Sequence, residues 1–211
     1  MKVLIAAVLA ATATVAGAVT YDPHTGFSTA SNPNGVYTYG YETTVGGALT
    51  SFSNGGAANG AGSTWTSPGV DQYLGVYNLS TTILQHPGSV GQYSVLRITV
   101  PTTSTYTISG DFANGDNATT DVHILVNGVS AFANTISGVG SFDAFGFSQT
   151  LAAGSTIDFA VGNGGNGYNN DSTYLSASVG NVPDAAVWSL MIAGFAMVGA
   201  AARRRSSALT A

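Results

Sequence analysis

The feature that most restricts the fold is a two-residue hydrophobic rhythm carried in short runs. Thr, Val, Tyr, Phe and Ile recur in stretches of six to ten residues, each closed by Gly, Asn, Pro or Ser. Side chains of a strand alternate between faces, so this rhythm suits half-buried strands and not helices. It predicts strands at Val36–Thr43, Gln72–Leu79, Tyr93–Val100, Thr105–Phe112, Asp121–Val126, Phe142–Thr150, Thr156–Val161 and Thr173–Val179. No amphipathic helix is legible before Ala185. About eight strands with turn residues between them predict an all-β, antiparallel β-sandwich of jelly-roll-like type. Alternation also sorts the faces. Leu96, Ile98 and Val100 should point inward, as should Val122, Ile124 and Val126, and Ile157, Phe159 and Val161. Leu175, Ala177 and Val179 form a fourth inward set. Arg97, Asp121, His123 and Asp158 then fall on outward faces.

Asn127-Gly128 follows a strong strand and reads as a hairpin turn. Ser53–Ser63 and Gly162–Asp171 read as Gly- and Asn-rich loops. The absence of cysteine rules out disulfides and thiolate chemistry. Charged residues make up only 7% of the chain, far below the quarter or so usual for a soluble enzyme.

Both ends are apolar. Lys2, the run Val3–Val15 and the small residues Ala16-Gly17-Ala18 read as a secretory signal cleaved after Ala18, the alternative being an uncleaved N-terminal anchor. Near the other end, Ala185 to Ala202 is an 18-residue stretch in which Ser189 is the sole polar residue. That is a short transmembrane helix, with Trp188 at one interface and Arg203, Arg204 and Arg205 as the cytoplasmic stop. The segment between, Val19 to Val182, holds nine of the chain's ten acids and one base, Arg97, for a net charge of −8. Such a surface does not favour nucleic acid, whose affinity comes from Lys and Arg on phosphates.

The tail resembles the PEP-CTERM sorting signal of proteobacteria, in the variant with a Trp-Ala pair after the motif. Pro183 and Trp188 match, Asp184 stands for Glu, Ala185 replaces the second Pro, and Ser189 replaces Ala. Met191-Ile192-Ala193-Gly194-Phe195 and the three arginines follow in the family's order. The resemblance covers about thirty residues. It implies a substrate of an exosortase, a membrane-embedded enzyme that removes the helix. It also implies an inner-membrane-anchored precursor and a product at the envelope surface or in the extracellular matrix of a Gram-negative bacterium. The stretch from His86 to Ala177 is similar to an exported β-domain found ahead of such tails. The phrases are His86-Pro87-Gly88, Tyr93–Arg97, Thr120–Gly128 and Asp158–Gly164. This second resemblance implies a sandwich fold and adds nothing catalytic.

Three sets of residues could carry binding chemistry. Arg97, Asp121, His123 and Asp158 form either an outward polar patch or a structural ion pair. Tyr37, Tyr39 and Tyr41, with Trp65, form either a platform for sugar rings or part of the core. Asp111, Asp116 and Asp171, with Asn114, Asn117, Asp121, Asn169 and Asn170, are hard oxygen donors in turn regions. They suit calcium if they gather, and Asx turns if they do not. No other cofactor is expected. Gly162-x-Gly164-x-x-Gly167 fits a dinucleotide fingerprint, yet a strand and not a helix follows it. No metalloprotease or serine-hydrolase motif is present. Glu42 is the only glutamate.

The expected organisation is a signal peptide at 1–18, an exported domain at 19–181 and a sorting tail at 182–211. The expected function is a non-enzymatic surface or matrix protein, adhesive or carbohydrate-binding, with an extracellular polysaccharide as partner. The alternatives are a carbohydrate-active enzyme of the envelope and a permanently anchored single-pass membrane protein.

Overall fold

The computed structural model describes residues 18–58, 62–182 and 192–199. The signal segment up to Gly17, the motif residues Pro183, Asp184 and Trp188, and the Arg203–Arg205 stop lie outside the described residues. Residues 192–199 form a short helix. Among the described residues no helix is long and apolar enough to cross a membrane, and the remainder of the predicted span 185–202 falls outside them.

Val19–Val182 is one compact unit with fourteen strands among the described residues. The first seven are β1 (Thr20–Tyr21), β2 (Tyr37–Glu42), β3 (Thr50–Ser51), β4 (Asn54–Ala57), β5 (Ser63–Ser67), β6 (Asp71–Asn78) and β7 (Ile83–His86). The rest are β8 (Tyr93–Thr99), β9 (Ser104–Asn114), β10 (Thr119–Val126), β11 (Val129–Ser137), β12 (Phe142–Leu151), β13 (Thr156–Val161) and β14 (Thr173–Val182). Each of the eight expected strands is present. The loop expected over Ser53–Ser63 instead contains β4, which pairs antiparallel with β5 despite its Gly-Gly centre. β11 escaped the sequence pattern because it is almost wholly exposed and has no buried alternation.

The strands form two antiparallel sheets. One is ordered β12-β9-β14-β7-β6-β5-β4, with β1 on the last residues of β14; the other is β11-β10-β13-β8-β2-β3. The inward residues named from alternation all join one core from both sheets, with Ala177 partly buried against it. At its centre Phe112 of β9 lies 5.5 Å from Phe145 of β12 and 6.4 Å from both Phe132 of β11 and Phe159 of β13. This aromatic cluster joins the two sheets.

Two turns set the ends. Asn127 and Gly128 both take positive φ, 51° and 76°, as a two-residue hairpin between β10 and β11 requires. On the second sheet, the β2–β3 connection leaves β2 and reaches that hairpin. A side chain at Gly46 would meet the Gly128 carbonyl oxygen at 2.5 Å. In sheet order this segment crosses β8 and β13, and the outward-facing Val95, Leu125 and Ala160 beneath it are fully buried.

The chain enters and leaves this unit at one place. Thr20 pairs with Gly180, the Asn181 amide donates to the Val19 carbonyl at 3.0 Å, and the Val19 amide donates to Asn181 Oδ1. The opposite end of β14 starts at Thr173, which pairs with Asn114 and with Gln85. Around that start gather the loops 87–92, 115–118 and 162–172.

Candidate functional site

The outward polar residues separate into two groups. Arg97 of β8 stands directly opposite Asp158 of β13. Its Nε and Nη2 donate to the two Asp158 oxygens at 2.5 and 2.8 Å. Glu42, at the end of β2, adds a second carboxylate 3.5 Å from Arg97 Nη2. Its other oxygen accepts the Gly46 N–H at 3.0 Å. Both carboxylates are buried under the β2–β3 connection, while the Arg97 side chain keeps 22% of its surface. Burial pushes the Glu42 carboxyl up, and the Asp158 charge adds to it, more than Arg97 and the Gly46 and Gly47 N–H groups pull it down. This is an ion-pair network inside a covered sheet face. It is committed to structure.

Asp121 and His123 form the second group, on β10. His123 Nε2 lies 2.9 Å from Asp121 Oδ2, and the Gly164 N–H donates to Asp121 Oδ1 at 2.7 Å. The Tyr93 ring meets the His123 ring edge-on at 5.7 Å. Burial alone would raise the Asp121 carboxyl. Hydrogen bonds from His123, the Gly164 amide and Tyr93, with the His123 charge, outweigh it and hold Asp121 below the usual range. Burial and the Asp121 carboxylate push the Tyr93 phenol up to about 12. The Gly162–Gly167 fingerprint therefore wraps a carboxylate of its own chain. β14 follows it.

The tyrosine stripe is a correction to the platform reading. Tyr37, Tyr39 and Trp65 are buried in the core, and Tyr41 packs against it. Tyr39 stacks on Trp65 at 6.2 Å and meets Phe27 at 4.6 Å. The Trp65 indole N–H donates to the Ser28 carbonyl, and the Tyr37 hydroxyl donates to the Asp22 carbonyl. The face that alternation put to one side looks into the sandwich, where no sugar ring could reach it.

The exposed aromatic set lies elsewhere. Tyr73 of β6, His86 at the end of β7 and Tyr168 of the β13–β14 loop form a surface cluster. Their ring centroids are 5.8 Å (Tyr73–His86), 6.1 Å (Tyr73–Tyr168) and 6.4 Å (His86–Tyr168) apart. Tyr73 is 48% exposed. His86 Nδ1 lies 2.8 Å from the Pro87 carbonyl, so that nitrogen carries the proton. Burial lowers the His86 pKa more than the Pro87 carbonyl, Asp116 and Asp71 raise it. Its ring is thus neutral at pH 7, and the cluster is an uncharged aromatic surface with Asp71 and Asp116 nearby. The Asp71 carboxylate fixes this region by accepting the Tyr73, Leu74 and Ser89 amides. Sequence reading missed the cluster. Tyr73 alternates with Leu74 and Val76, which signals an outward ring. That Tyr168 meets it depends on β6, β7 and β14 being neighbours.

Of the oxygen donors, Asp111 sits in mid-sheet opposite Ala144 and Ser176, away from the others. Asp116 and Asp171 flank the Gly115–Ser172 hydrogen bond at the loop end of β14, and burial, with the Asp121 and Asp116 charges added to it, raises the Asp171 carboxyl. Asn114 Oδ1 instead accepts the Asp116 amide, an Asx turn. Among the described residues no three His, Asp or Glu side chains stand together at metal-binding spacing.

No family model and no curated protein matches the sequence. Among solved structures, the chain is similar to the Podospora anserina GH26-CBM35 β-(1,4)-mannanase at 17% identity, covering 80% of this chain and 28% of that one, with a TM-score of 0.34. It therefore spans well under a third of that enzyme's length. It is also similar to CBM51 from Clostridium perfringens GH95 in complex with methyl-galactose, at 10% identity over 76% and 99% of the two chains (TM-score 0.40). A third is the carbohydrate-binding module CBM36 in complex with calcium and xylotriose, at 11% identity over 69% and 98% (TM-score 0.33). Scores this low carry no ligand from those proteins to this chain.

Proposed function

We propose that the Val19–Val182 domain is a non-catalytic module that binds a neutral polysaccharide on the Tyr73–His86–Tyr168 surface. The observation that supports this is the cluster of three uncharged rings at the loop end of the sandwich, with Tyr73 half exposed. Flat aromatic faces pack against the apolar CH faces of pyranose rings while ring-edge hydroxyls stay with polar neighbours. A glycosidase needs two carboxyl groups facing each other across the scissile bond. Here Asp158 and Glu42 are engaged by Arg97, and Asp121 by His123 and Gly164, which favours binding over catalysis.

The test is retention of the full-length chain, in mild detergent, on gels cast with neutral, anionic and cationic polysaccharides. Retardation by a neutral glycan is expected, and Tyr73→Ala should weaken it roughly fivefold to tenfold, the worth of one aromatic contact. Equal retention of the variant, or no retention by any neutral glycan, would overturn the reading.

We further propose that the domain is exported and sorted by an exosortase-like enzyme through the Pro183–Arg205 tail, passing through an inner-membrane-anchored precursor. The support is the tail's three-part order and the apolar character of the helix at 192–199. Intact mass of the protein from its own host should give a chain running from near Val19 to near Pro183. Recovery of a chain that still contains Trp188 to Arg205 would make it a permanently anchored protein.

A further inference from the structure

The domain's least compensated charge is at the start of β14. Asp171 is fully buried, and neither of its side-chain oxygens has a hydrogen-bond partner. Its main-chain carbonyl accepts the Thr173 hydroxyl, so the backbone is satisfied while the carboxyl is not. Native structures seldom leave such a group unpaired, and an ion or ordered water usually accounts for it. A buried ionised carboxylate with no partner costs several kcal/mol, so some positive species must stand against it.

No side chain of the domain can supply that charge. Between Val19 and Val182 Arg97 is the single base, and Asp158 and Glu42 hold it. His123 is turned to Asp121 through Nε2, His24 Nδ1 is held by Asn78 Oδ1 at 2.6 Å, and burial lowers the His86 pKa. The charged groups nearest Asp171 are themselves acids, Asp121 and Asp116. The Gly115 amide donates to the Ser172 carbonyl at 2.8 Å, which sets Asp116 beside Asp171 across the two loops. Two neutralising species remain: a proton and a metal cation.

We infer that the loop end of β14 holds a divalent cation on the Asp171 carboxylate, with Asp116 as its second acidic donor. The donors there are hard oxygens: two carboxylates, with hydroxyls and main-chain carbonyls around them. Thr173 Oγ1 lies against Thr120 Oγ1, and the Ser172 carbonyl already accepts the Gly115 amide. Such a set selects calcium over zinc or copper. Calcium also sheds water more readily than magnesium and tolerates irregular geometry, which suits donors drawn from two separate loops. Asp121 contributes field only, since its oxygens are occupied. The two acidic donors belong to different loops already joined by the Gly115–Ser172 hydrogen bond, so binding would fasten the 115–118 loop to the β13–β14 loop. This inference does not rest on the glycan reading.

The experiment is thermal unfolding of the chelator-treated full-length chain at pH 8, with calcium chloride alone and no glycan. Calcium should raise Tm saturably, by on the order of 5 °C at a hundredfold excess over Kd. Magnesium should give a smaller rise. Asp171→Asn, which keeps shape and removes charge, should abolish the rise and leave the calcium-free Tm equal to or above that of the parent. Asp116→Asn, at a less buried position, should fold normally and weaken calcium at least tenfold. The inference is overturned if calcium leaves the parent unmoved while Asp171→Asn stabilises it, because a proton then suffices. It is equally overturned if the calcium response survives Asp171→Asn, because the effect is then general screening of an acidic surface. Should Asp171→Asn fail to fold, an undiminished response in Asp116→Asn would overturn it.

Discussion

Replacing Arg97 with leucine will cost the fold about 3–5 kcal/mol at pH 7, the range for removing one member of a buried ion pair. The guanidinium faces Asp158 through two hydrogen bonds and Glu42 at 3.5 Å, and both acids are sealed beneath the β2–β3 connection. No other base lies in the domain to replace it. The loss depends on pH, with a sign that can be worked out. The folded protein holds the Glu42 proton to higher pH than the unfolded chain does. Its contribution therefore falls as pH rises through the ordinary glutamate range. Without Arg97 that fall steepens, because the term opposing burial is gone. Denaturant titrations at pH 4 and pH 7 should show a small penalty at the first and the full penalty at the second. A penalty independent of pH would mean that Arg97 acts through packing and not charge. Replacing Arg97, Asp158 and Glu42 together by apolar residues should recover most of the loss, since the carboxylates then have no charge to strand.

Phe112→Ala is expected to cost a comparable ~3–5 kcal/mol, as large-to-small changes of a buried phenylalanine do. Phe112 is fully buried and touches rings from both sheets: Phe132 and Phe159 on one, Phe145 on its own. The hole cannot close from one side, because each neighbouring ring is fixed on a different strand. The control is Phe142→Ala, one rung away opposite Ala113 and 69% exposed, which should change stability by less than about 0.5 kcal/mol. A Phe112→Ala loss below about 1 kcal/mol would show that the two sheets are not joined through this cluster.

The two residues differ in how far the sequence revealed them. Phe112 ends an alternating run, so its burial was legible from period alone. Arg97 was legible as a lone base that needed an acid. That Asp158 is the acid follows from β8 and β13 being neighbours in register, and that Glu42 joins follows from a covering segment anchored at Gly46 and Gly128. Alternation reports which side of a strand a residue takes. It does not report which of two faces is later covered, and so Tyr37 and Tyr39 read equally well as a surface and as a core. The Asn127-Gly128 turn was legible because backbone geometry dictates the residues. Tyr73, His86, Tyr168 and Asp171 were not legible as neighbours, because strand order alone assembles them. β11 shows the opposite failure: an edge strand held almost wholly by its hairpin leaves only Phe132 and Ile136 as a hydrophobic trace, too sparse to read as alternation.

The pairing of Thr20–Tyr21 with the last turns of β14 has a consequence for presentation. Both boundaries of the domain, Val19 and Val182, leave from one spot. β14 runs ten residues from Thr173 to that spot, or about 33 Å of extended chain. A tether on either boundary therefore grips the same pole. The aromatic rings and the acidic loops stand off from the point of attachment by the full height of the sandwich. Anything joined before Val19 or after Val182 would therefore meet the domain at the pole opposite its aromatic rings and acidic loops.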